Sequence, residues 1–169
     1  MKNNEKALFG TAGNPERFYE QGYKASVDVP KWLDAIGLDA YEYSAGRGVR
    51  IKEETASAIG AQAKEHNVKL SFHAPYFINL ATKDDEQKQK NFDYIYASVQ
   101  AAQWLGADRV VVHPGGQGKM QRQEAFEQTK KGLAEVVEKL AALGLNKVML
   151  IPETMGKKGQ IGTLQEVVE

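Results

Sequence analysis

No cysteine occurs among the 169 residues of this chain, and histidine occurs only three times. The absence of cysteine excludes disulfides, thiolate zinc sites and a cysteine nucleophile, so any metal site must combine histidines with carboxylates. No apolar run approaches the ~18 residues of a membrane span, and the first residues carry no apolar signal core. We therefore expect a cytoplasmic protein that makes no contact with a membrane.

Neither sign of charge is in excess, because 22 basic residues balance 22 acidic ones. This balance excludes a chain-wide electrostatic grip on nucleic acid but permits a local basic face. The length is enough for one domain with a sizeable core, which we assign to residues 1–169. It is well short of the roughly 250 residues of a complete eight-stranded α/β barrel.

A recurring junction organises the chain: a helix-like segment ends in glycine or asparagine, and a short β-rich run follows. The junction residues are Gly37, Asn67, Gly106 and Gly144. These residue types suit the left-handed conformation that terminates helices. Their separation of 30 to 39 residues is the length of one strand–helix unit. Near-continuous apolar runs at 110–112 and 148–151 are typical of parallel strands buried on both faces.

Apolar periodicity predicts helices between these strands. The helical segments are a stripe of Val29, Trp32, Leu33 and Ile36, then residues 52–66, 84–105 and 121–143, the last with Val137 on its apolar stripe. A first strand is predicted near Ala7–Thr11. At the other end, Thr163 and Glu166 form a capping box that opens a further helix, yet the chain ends at Glu169. We therefore expect an α/β fold of about five parallel βα units, the truncated N-terminal part of an eight-fold TIM-like barrel.

Three of the predicted strands end in a residue that can bind a metal. His73, His113 and Glu153 close strands 3, 4 and 5, and neighbouring strands lie roughly 4.8 Å apart. A lone strand-end histidine is more often a hydrogen-bonded rim residue, but three such side chains at one end of adjacent parallel strands can converge on one ion. Two imidazoles and a carboxylate suit Zn²⁺, Mn²⁺ or Fe²⁺. We interpret the third histidine, His66, as structural, because it follows a helix and interacts with the helix dipole.

The loops that follow the strands carry basic residues able to bind phosphate, although flexible surface loops commonly carry lysine as well. They are Arg47, Arg50, Lys119, Arg122, Lys157 and Lys158. Tyr76 follows His73 by three residues and is either a stacking group against a nucleic-acid base or an aromatic packed at the barrel mouth. Glu42, near the end of strand 2, is open to three interpretations: a metal ligand, a support for a ligand, or a member of a core ion pair.

Several motifs resemble the endonuclease IV family of apurinic/apyrimidinic endonucleases. They are SFHAPYFINLA (71–81), VVVHPG (110–115), PETMG (152–156) and, more weakly, YEYSAGRGVRI (41–51). The resemblance implies a xylose isomerase-like TIM barrel and a zinc-dependent hydrolase of DNA repair. Such an enzyme acts on double-stranded DNA with abasic sites. It cleaves the phosphodiester on the 5′ side of the lesion during base excision repair.

The resemblance matches His73, His113 and Glu153 to the ligands of one zinc ion, and it makes Glu153 the catalytic carboxylate that bridges to a second. The family's cluster holds three ions, but its remaining ligands lie on strands 6 to 8, beyond this chain. We therefore expect one ion here, with Mn²⁺ or Fe²⁺ as alternatives to Zn²⁺. We also expect this fragment alone to be inactive and to self-associate through open sheet edges.

The DNA contacts that the resemblance implies are Tyr76, which enters the DNA at the lesion, and an arginine after strand 2, either Arg47 or Arg50. Lys119 is expected to bind the DNA backbone together with them. Two other functions stay open on the sequence: a sugar isomerase or epimerase of the related barrels, and a non-catalytic fragment that binds metal or DNA.

Overall fold

The computed structural model describes residues 7–169, in which five parallel strands alternate with helices. The strands are β1 (Gly10–Ala12), β2 (Ala40–Ser44), β3 (Lys69–His73), β4 (Arg109–Val112) and β5 (Met149–Pro152). The helices are α1 (Glu16–Glu20), α2 (Val29–Ala35), α3 (Glu53–Glu65), α4 (Asp85–Leu105), α5 (Arg122–Ala142) and α6 (Leu164–Val168), with a 3₁₀ turn at Ser26–Asp28. None of the helices formed by residues 7–169 is both long and apolar enough to cross a lipid bilayer.

The strands follow one another in the sheet in the order of the chain, β1-β2-β3-β4-β5, and each is parallel to the next. This is the winding of a TIM barrel, and it confirms the predicted α/β fold of five parallel βα units. His73 lies opposite Val111, and Val112 lies opposite Pro152. The register therefore brings the residues that follow β3, β4 and β5 to one edge of the sheet.

The hydrophobic core lies between the helices and one face of the sheet. Because side chains alternate along a strand, Tyr41, Phe72 and Val110 share this face, and each is at most 2% exposed. Burial of one such side chain stabilises the fold by roughly 1.5–3 kcal/mol. α3 approaches α4 so closely that a β-carbon on Gly60 would lie 2.5 Å from the Leu105 carbonyl oxygen. Only glycine allows this approach.

The opposite face of the sheet carries Glu42, Ser71 and His73, and none of its residues on β2 to β5 is buried. The prediction of strands buried on both faces is therefore wrong for residues 7–169. Met149 is 64% exposed, and the Arg109 side chain is 54% exposed. The physical reason is that the helices cover only one face, so the side chains of the other face remain in contact with water.

The local signals at the helix ends are confirmed. The four junction residues all have positive φ angles, between 53° and 78°. The Asp84 side chain, which was not predicted as a cap, accepts a hydrogen bond from the Gln87 N–H and caps α4. The predicted capping box is present at the start of α6, where the Thr163 side chain accepts the Glu166 N–H. These short-range patterns were predictable because each involves residues close together in sequence.

Four details of the sequence prediction differ from the structure. β1 begins at Gly10, so it is shorter than the predicted Ala7–Thr11 strand, and the short helix α1 that follows it was not predicted. Ile36 is 37% exposed because α2 ends at Ala35, where the helical periodicity stops. Val137 is 48% exposed, since it faces outward while its neighbour Val136 is buried.

Candidate metal centre

The predicted metal ligands lie where three strands end, at the C-terminal edge of the sheet. His73 is the last residue of β3, His113 comes directly after β4, and Glu153 comes directly after β5. The parallel register puts His73 opposite Val111, two residues before His113, and Val112 opposite Pro152, the residue before Glu153. The sheet itself therefore positions the three side chains, although each is 40 residues from the next along the chain.

The structure brings His73, His113 and Glu153 together. The Nε2 atoms of His73 and His113 lie 3.2 and 2.9 Å from the same carboxylate oxygen, Oε2 of Glu153. The two imidazole rings are nearly perpendicular, with centroids 5.1 Å apart. One ligand atom from each residue lies within 4.8 Å of the other two. Among the histidine and acidic side chains of residues 7–169, no other group of three meets this limit.

Backbone carbonyls hold the outer nitrogen of each ring. His73 Nδ1 lies 2.7 Å from the Ala74 carbonyl oxygen, and His113 Nδ1 lies 2.9 Å from the Tyr76 carbonyl oxygen. A carbonyl oxygen only accepts, so each Nδ1 carries the hydrogen. In the neutral ring, Nε2 then carries no hydrogen, and its lone pair faces Glu153. Histidine ligands of metals commonly have this arrangement, because the second hydrogen bond fixes both tautomer and orientation.

The donor set fits a divalent transition metal. Two neutral imidazoles and one carboxylate direct acceptor atoms at a single point, which requires either additional protons or a cation between them. The three side chains are partly exposed, at 17% for His73, 18% for His113 and 40% for Glu153, so an ion can reach them from solvent. Nitrogen and oxygen ligands of this kind suit Zn²⁺, Mn²⁺ or Fe²⁺.

Glu42, whose role the sequence left open, and His66, which we interpret as structural, both lie outside this group. Glu42 is within β2, and its Oε2 accepts a hydrogen bond from the Ser71 hydroxyl at 2.9 Å. The Glu42 carboxylate is therefore paired with Ser71 and not with the two histidines. His66 ends α3, and its Nδ1 lies 2.8 Å from the Asp34 carboxylate. This contact agrees with the structural interpretation of His66. It adds a side-chain partner, Asp34, to the interaction with the helix dipole that the sequence predicted.

An exposed aromatic pair lies beside the candidate metal centre. Tyr76 is 51% exposed, so it is not a core residue. Its ring meets the edge of Phe77 at a centroid distance of 5.7 Å, and Phe77 in turn packs edge-to-face on Tyr94 at 4.8 Å. Phe77, which is itself 38% exposed, was not predicted from the sequence. The available signal was the second aromatic directly after Tyr76.

Most of the predicted basic rim is free. The side chains of Arg47, Arg50 and Lys119 are exposed and form no ion pair or hydrogen bond within residues 7–169, and the same is true of Lys157 and Lys158. They can therefore approach an anion without first breaking a contact. Their positions, after β2, β4 and β5, border the edge that carries the three candidate ligands.

Arg122 does not belong to this free rim. Its guanidinium donates two hydrogen bonds to the Glu166 carboxylate, at 2.8 and 2.7 Å, and others to the carbonyls of Lys158 and Gln160. The hydrogen bond from Arg122 lowers the pKa of Glu166 to about 2, while the same contact raises the pKa of Arg122. The prediction that Arg122 is available to phosphate is therefore wrong, because Glu166 and the loop after β5 occupy its donors.

The chain matches a family model described as xylose isomerase-like TIM barrel over residues 30–169. An uncharacterized protein of Methanocaldococcus jannaschii is 33% identical over 96% of this chain and 56% of its own length. A probable endonuclease 4 of Thermoplasma volcanium is 27% identical over 82% of this chain and 49% of its own length. This chain therefore spans about half the length of the curated relatives it matches.

Solved structures agree on the fold. A D-tagatose 3-epimerase-like protein aligns with a TM-score of 0.66 and 20% identity, covering 86% of this chain and 58% of that protein. Endonuclease IV from Thermus thermophilus aligns with a TM-score of 0.60 and 23% identity, covering 83% of this chain and 51% of that enzyme. At these identities the likeness establishes the fold alone.

This chain belongs to the xylose isomerase-like TIM barrel family, since the family model covers most of its length. The family resemblance predicted from the motifs is confirmed, and several curated relatives are named probable endonuclease 4.

Proposed function

We propose that this chain carries the first metal site and part of the DNA-binding rim of a zinc-dependent endonuclease. The complete protein would hydrolyse the phosphodiester 5′ to abasic sites in double-stranded DNA, as a repair enzyme. The observation that carries the proposal is the convergence of His73, His113 and Glu153 beside an exposed tyrosine and unpaired cations. Relatives named probable endonuclease 4 support it. Because this chain spans about half their length, the proposal of hydrolysis concerns the complete protein.

His73, His113 and Glu153 would hold one ion, Zn²⁺ in first place and Mn²⁺ or Fe²⁺ as alternatives. When bound, such an ion supplies Lewis-acid polarisation of a phosphoryl oxygen. The chain's own contribution is to leave each Nε2 without a hydrogen, because the Nδ1–H of each ring donates to a backbone carbonyl. Glu153 contributes the negative charge, and we assign it the role of the catalytic carboxylate that would bridge to further ions, up to three, in the complete protein.

The rim would hold the DNA backbone. Arg47, Arg50 and Lys119 are exposed and unpaired within residues 7–169, so each can bind a phosphate directly. Contacts of this kind give affinity that is independent of sequence and falls with salt. Tyr76 would enter the stack where a base is missing, because an aromatic ring with half of its surface exposed can stack against neighbouring bases.

A sugar isomerase or epimerase is the second candidate, since the fold is also that of a D-tagatose 3-epimerase-like protein. A small neutral sugar has no charge for the exposed basic side chains of the rim to bind. A polyanion that extends beyond the metal centre uses both the cations and the exposed ring. The distribution of charge around the site therefore favours DNA.

Binding measurements on the 169-residue chain test this proposal. The zinc-loaded chain is titrated against a duplex with one abasic analogue, against the intact duplex and against ketoses, with fluorescence anisotropy and calorimetry as readouts. We expect tighter binding to the abasic duplex and roughly tenfold weaker binding when Arg47, Arg50 and Lys119 are all replaced by Ala.

The matched control is Arg109→Ala, which removes an exposed cation at the opposite end of β4. This variant should bind DNA like the unaltered chain. Equal affinity for both duplexes would overturn the abasic specificity. Binding and conversion of a ketose without DNA binding would favour the epimerase, and DNA or metal binding by a complete protein without cleavage would leave a non-catalytic binding role.

A further inference from the structure

The loop between β3 and α4 contacts the segment that follows β4 at three successive points. The contacts are from His113 Nδ1 to the Tyr76 carbonyl at 2.9 Å, from the Leu80 N–H to the Pro114 carbonyl at 3.0 Å, and from the Gly116 N–H to Asn79 Oδ1 at 3.1 Å. The first of these contacts orients a candidate metal ligand. The other two hold the backbone that carries this ligand.

Asn79 is the only side chain among these contacts that comes from the β3–α4 loop. Its Oδ1 accepts two hydrogen bonds at 3.1 Å, one from the Ala81 N–H in its own loop and one from the Gly116 N–H in the next loop. One oxygen atom therefore closes a local turn and joins two loops. The Nδ2 group of Asn79 makes no hydrogen bond within residues 7–169.

The packing around Asn79 explains the glycine that follows Pro114. A β-carbon on Gly115 would lie 2.1 Å from Asn79 Oδ1, and Gly115 has a φ of +127°. Both the space and the backbone conformation require glycine here. The close approach of the two loops therefore depends on Asn79 in one loop and on Gly115 in the other.

A buried amide anchors Asn79 to α4. Asn91 is 1% exposed, and its Nδ2 donates to the Asn79 carbonyl at 2.7 Å. Its Oδ1 accepts a hydrogen bond from Gln87 Nε2 at 3.1 Å. A buried amide that lost its partner would be costly, so this contact holds the backbone of Asn79 in place.

We propose that Asn79 is a positioning residue for His113. By holding Gly116 and the turn at Ala81, it keeps the Tyr76 carbonyl in line with His113 Nδ1, so that Nε2 stays the lone pair directed at Glu153. Asn79 touches neither the metal ligands' donor atoms nor any reacting group. The inference rests on the proposed metal site for its consequence, but the hydrogen bond it concerns joins two groups of the chain itself.

The test compares Asn79→Ala with Asn79→Asp in the metal-free 169-residue chain. Aspartate keeps an oxygen acceptor of the same reach, whereas alanine removes it. Nitrogen-15 NMR of the His113 ring, in alkaline buffer, reports which nitrogen carries the hydrogen and how fast that hydrogen exchanges with water. We expect the unaltered chain and Asn79→Asp to show a protected Nδ1–H, and Asn79→Ala to lose the protection.

Metal affinity is the second readout. Loss of a group that orients a histidine ligand typically weakens metal binding by about 10- to 100-fold. We expect a zinc dissociation constant at least about tenfold higher for Asn79→Ala and within about twofold of the unaltered chain for Asn79→Asp. Circular dichroism checks that each variant is folded. If Asn79→Ala does not fold, Asn79→Ser replaces it, since a hydroxyl can close the local turn but is too short to reach Gly116.

The two readouts separate this inference from the proposed function. If the unaltered chain binds no zinc, the proposed function fails, and the NMR comparison still decides the role of Asn79. If the folded Asn79→Ala chain, or its serine replacement, keeps a protected His113 Nδ1–H and unchanged zinc affinity, the positioning role is overturned. Equal losses in the alanine and aspartate variants would also contradict it, because only alanine removes the acceptor.

Discussion

His113 and Glu153 face each other across 2.9 Å, from Nε2 to Oε2, while the other nitrogen of the ring is engaged by the Tyr76 carbonyl. The Nδ1–H group donates a hydrogen bond to the carbonyl, so both facing atoms, Nε2 and Oε2, are acceptors when the ring is neutral. Two such atoms at this distance repel each other unless a proton or a cation lies between them. This relationship is the chemical basis on which we propose the three-residue cluster as a metal site, and it holds independently of any family resemblance.

The first prediction concerns metal content. Chelator-stripped chain should take up roughly one zinc ion, because three protein ligands with an open position suffice for binding. The double variant His73→Ala, His113→Ala should fall to background in elemental analysis. His66→Ala is the matched control, since it removes a histidine that contacts Asp34 and lies outside the cluster. Equal zinc content in the double variant and the unaltered chain would refute the site.

The second prediction concerns the exposed ring of Tyr76. Tyr76→Ala should weaken binding to an abasic duplex more than binding to an intact duplex, because only the abasic duplex offers a gap in the stack. Stacking of a base on an aromatic ring contributes roughly 1–3 kcal/mol, which corresponds to a loss between several-fold and about a hundredfold. Fluorescence anisotropy measures both affinities. Tyr76→Phe keeps the ring and should retain the preference; an equal loss on both duplexes would point to a packing role.

The third prediction concerns pH and the ion pair of Arg122 with Glu166. The pKa of Glu166 is lowered from its ordinary 4.5 to about 2, so the stabilisation is complete above pH 4.5 and is lost as the pH falls toward 2. Arg122→Ala should lower the free energy of unfolding by about 2 kcal/mol at neutral pH, and the difference should shrink in acid. Urea unfolding at several pH values measures this.

The control for the ion pair is Lys131→Ala. Lys131 lies 3.9 Å from Glu135 on the surface of α5, with its side chain 67% exposed. A pair of this kind contributes about 0.5 kcal/mol or less. A loss in Arg122→Ala that is independent of pH, or no larger than that of the control, would contradict the assigned role of Glu166.

The fourth prediction concerns association of the 169-residue chain. Within residues 7–169, β1 and β5 each pair with one strand, so each leaves a backbone edge open to a second copy. Sedimentation velocity should show a mass that rises with protein concentration. Met149→Lys adds a charge to β5 at a residue that is already 64% exposed, and it should reduce the association.

Leu143→Lys provides the comparison for this experiment, because it adds the same charge at a residue that is 58% exposed and follows α5, away from the sheet edge. It should leave the association unchanged. A chain that stays monomeric at every concentration would show that the open edges do not drive pairing.

The sequence was most informative where the physical signal is local. Apolar periodicity, helix caps and strand-end polar residues predicted the five βα units and placed His73, His113 and Glu153 at one edge. The partners of long side chains were not predictable. Arg122 pairs with Glu166, and Asn79 reaches Gly116, across loops whose relative positions depend on the folded sheet. A single sequence carries no signal for contacts of this kind.

Two parts of Tyr76 have different surroundings: its backbone carbonyl accepts a hydrogen bond from His113, whereas the residue as a whole is half exposed to solvent. Every amino acid has the carbonyl, whereas the ring is particular to tyrosine. A substitution at this position can therefore change the side chain without disturbing how the histidine is held. If the rim and the cluster have the functions proposed above, recognition and metal binding would be adjacent in space and yet could change independently.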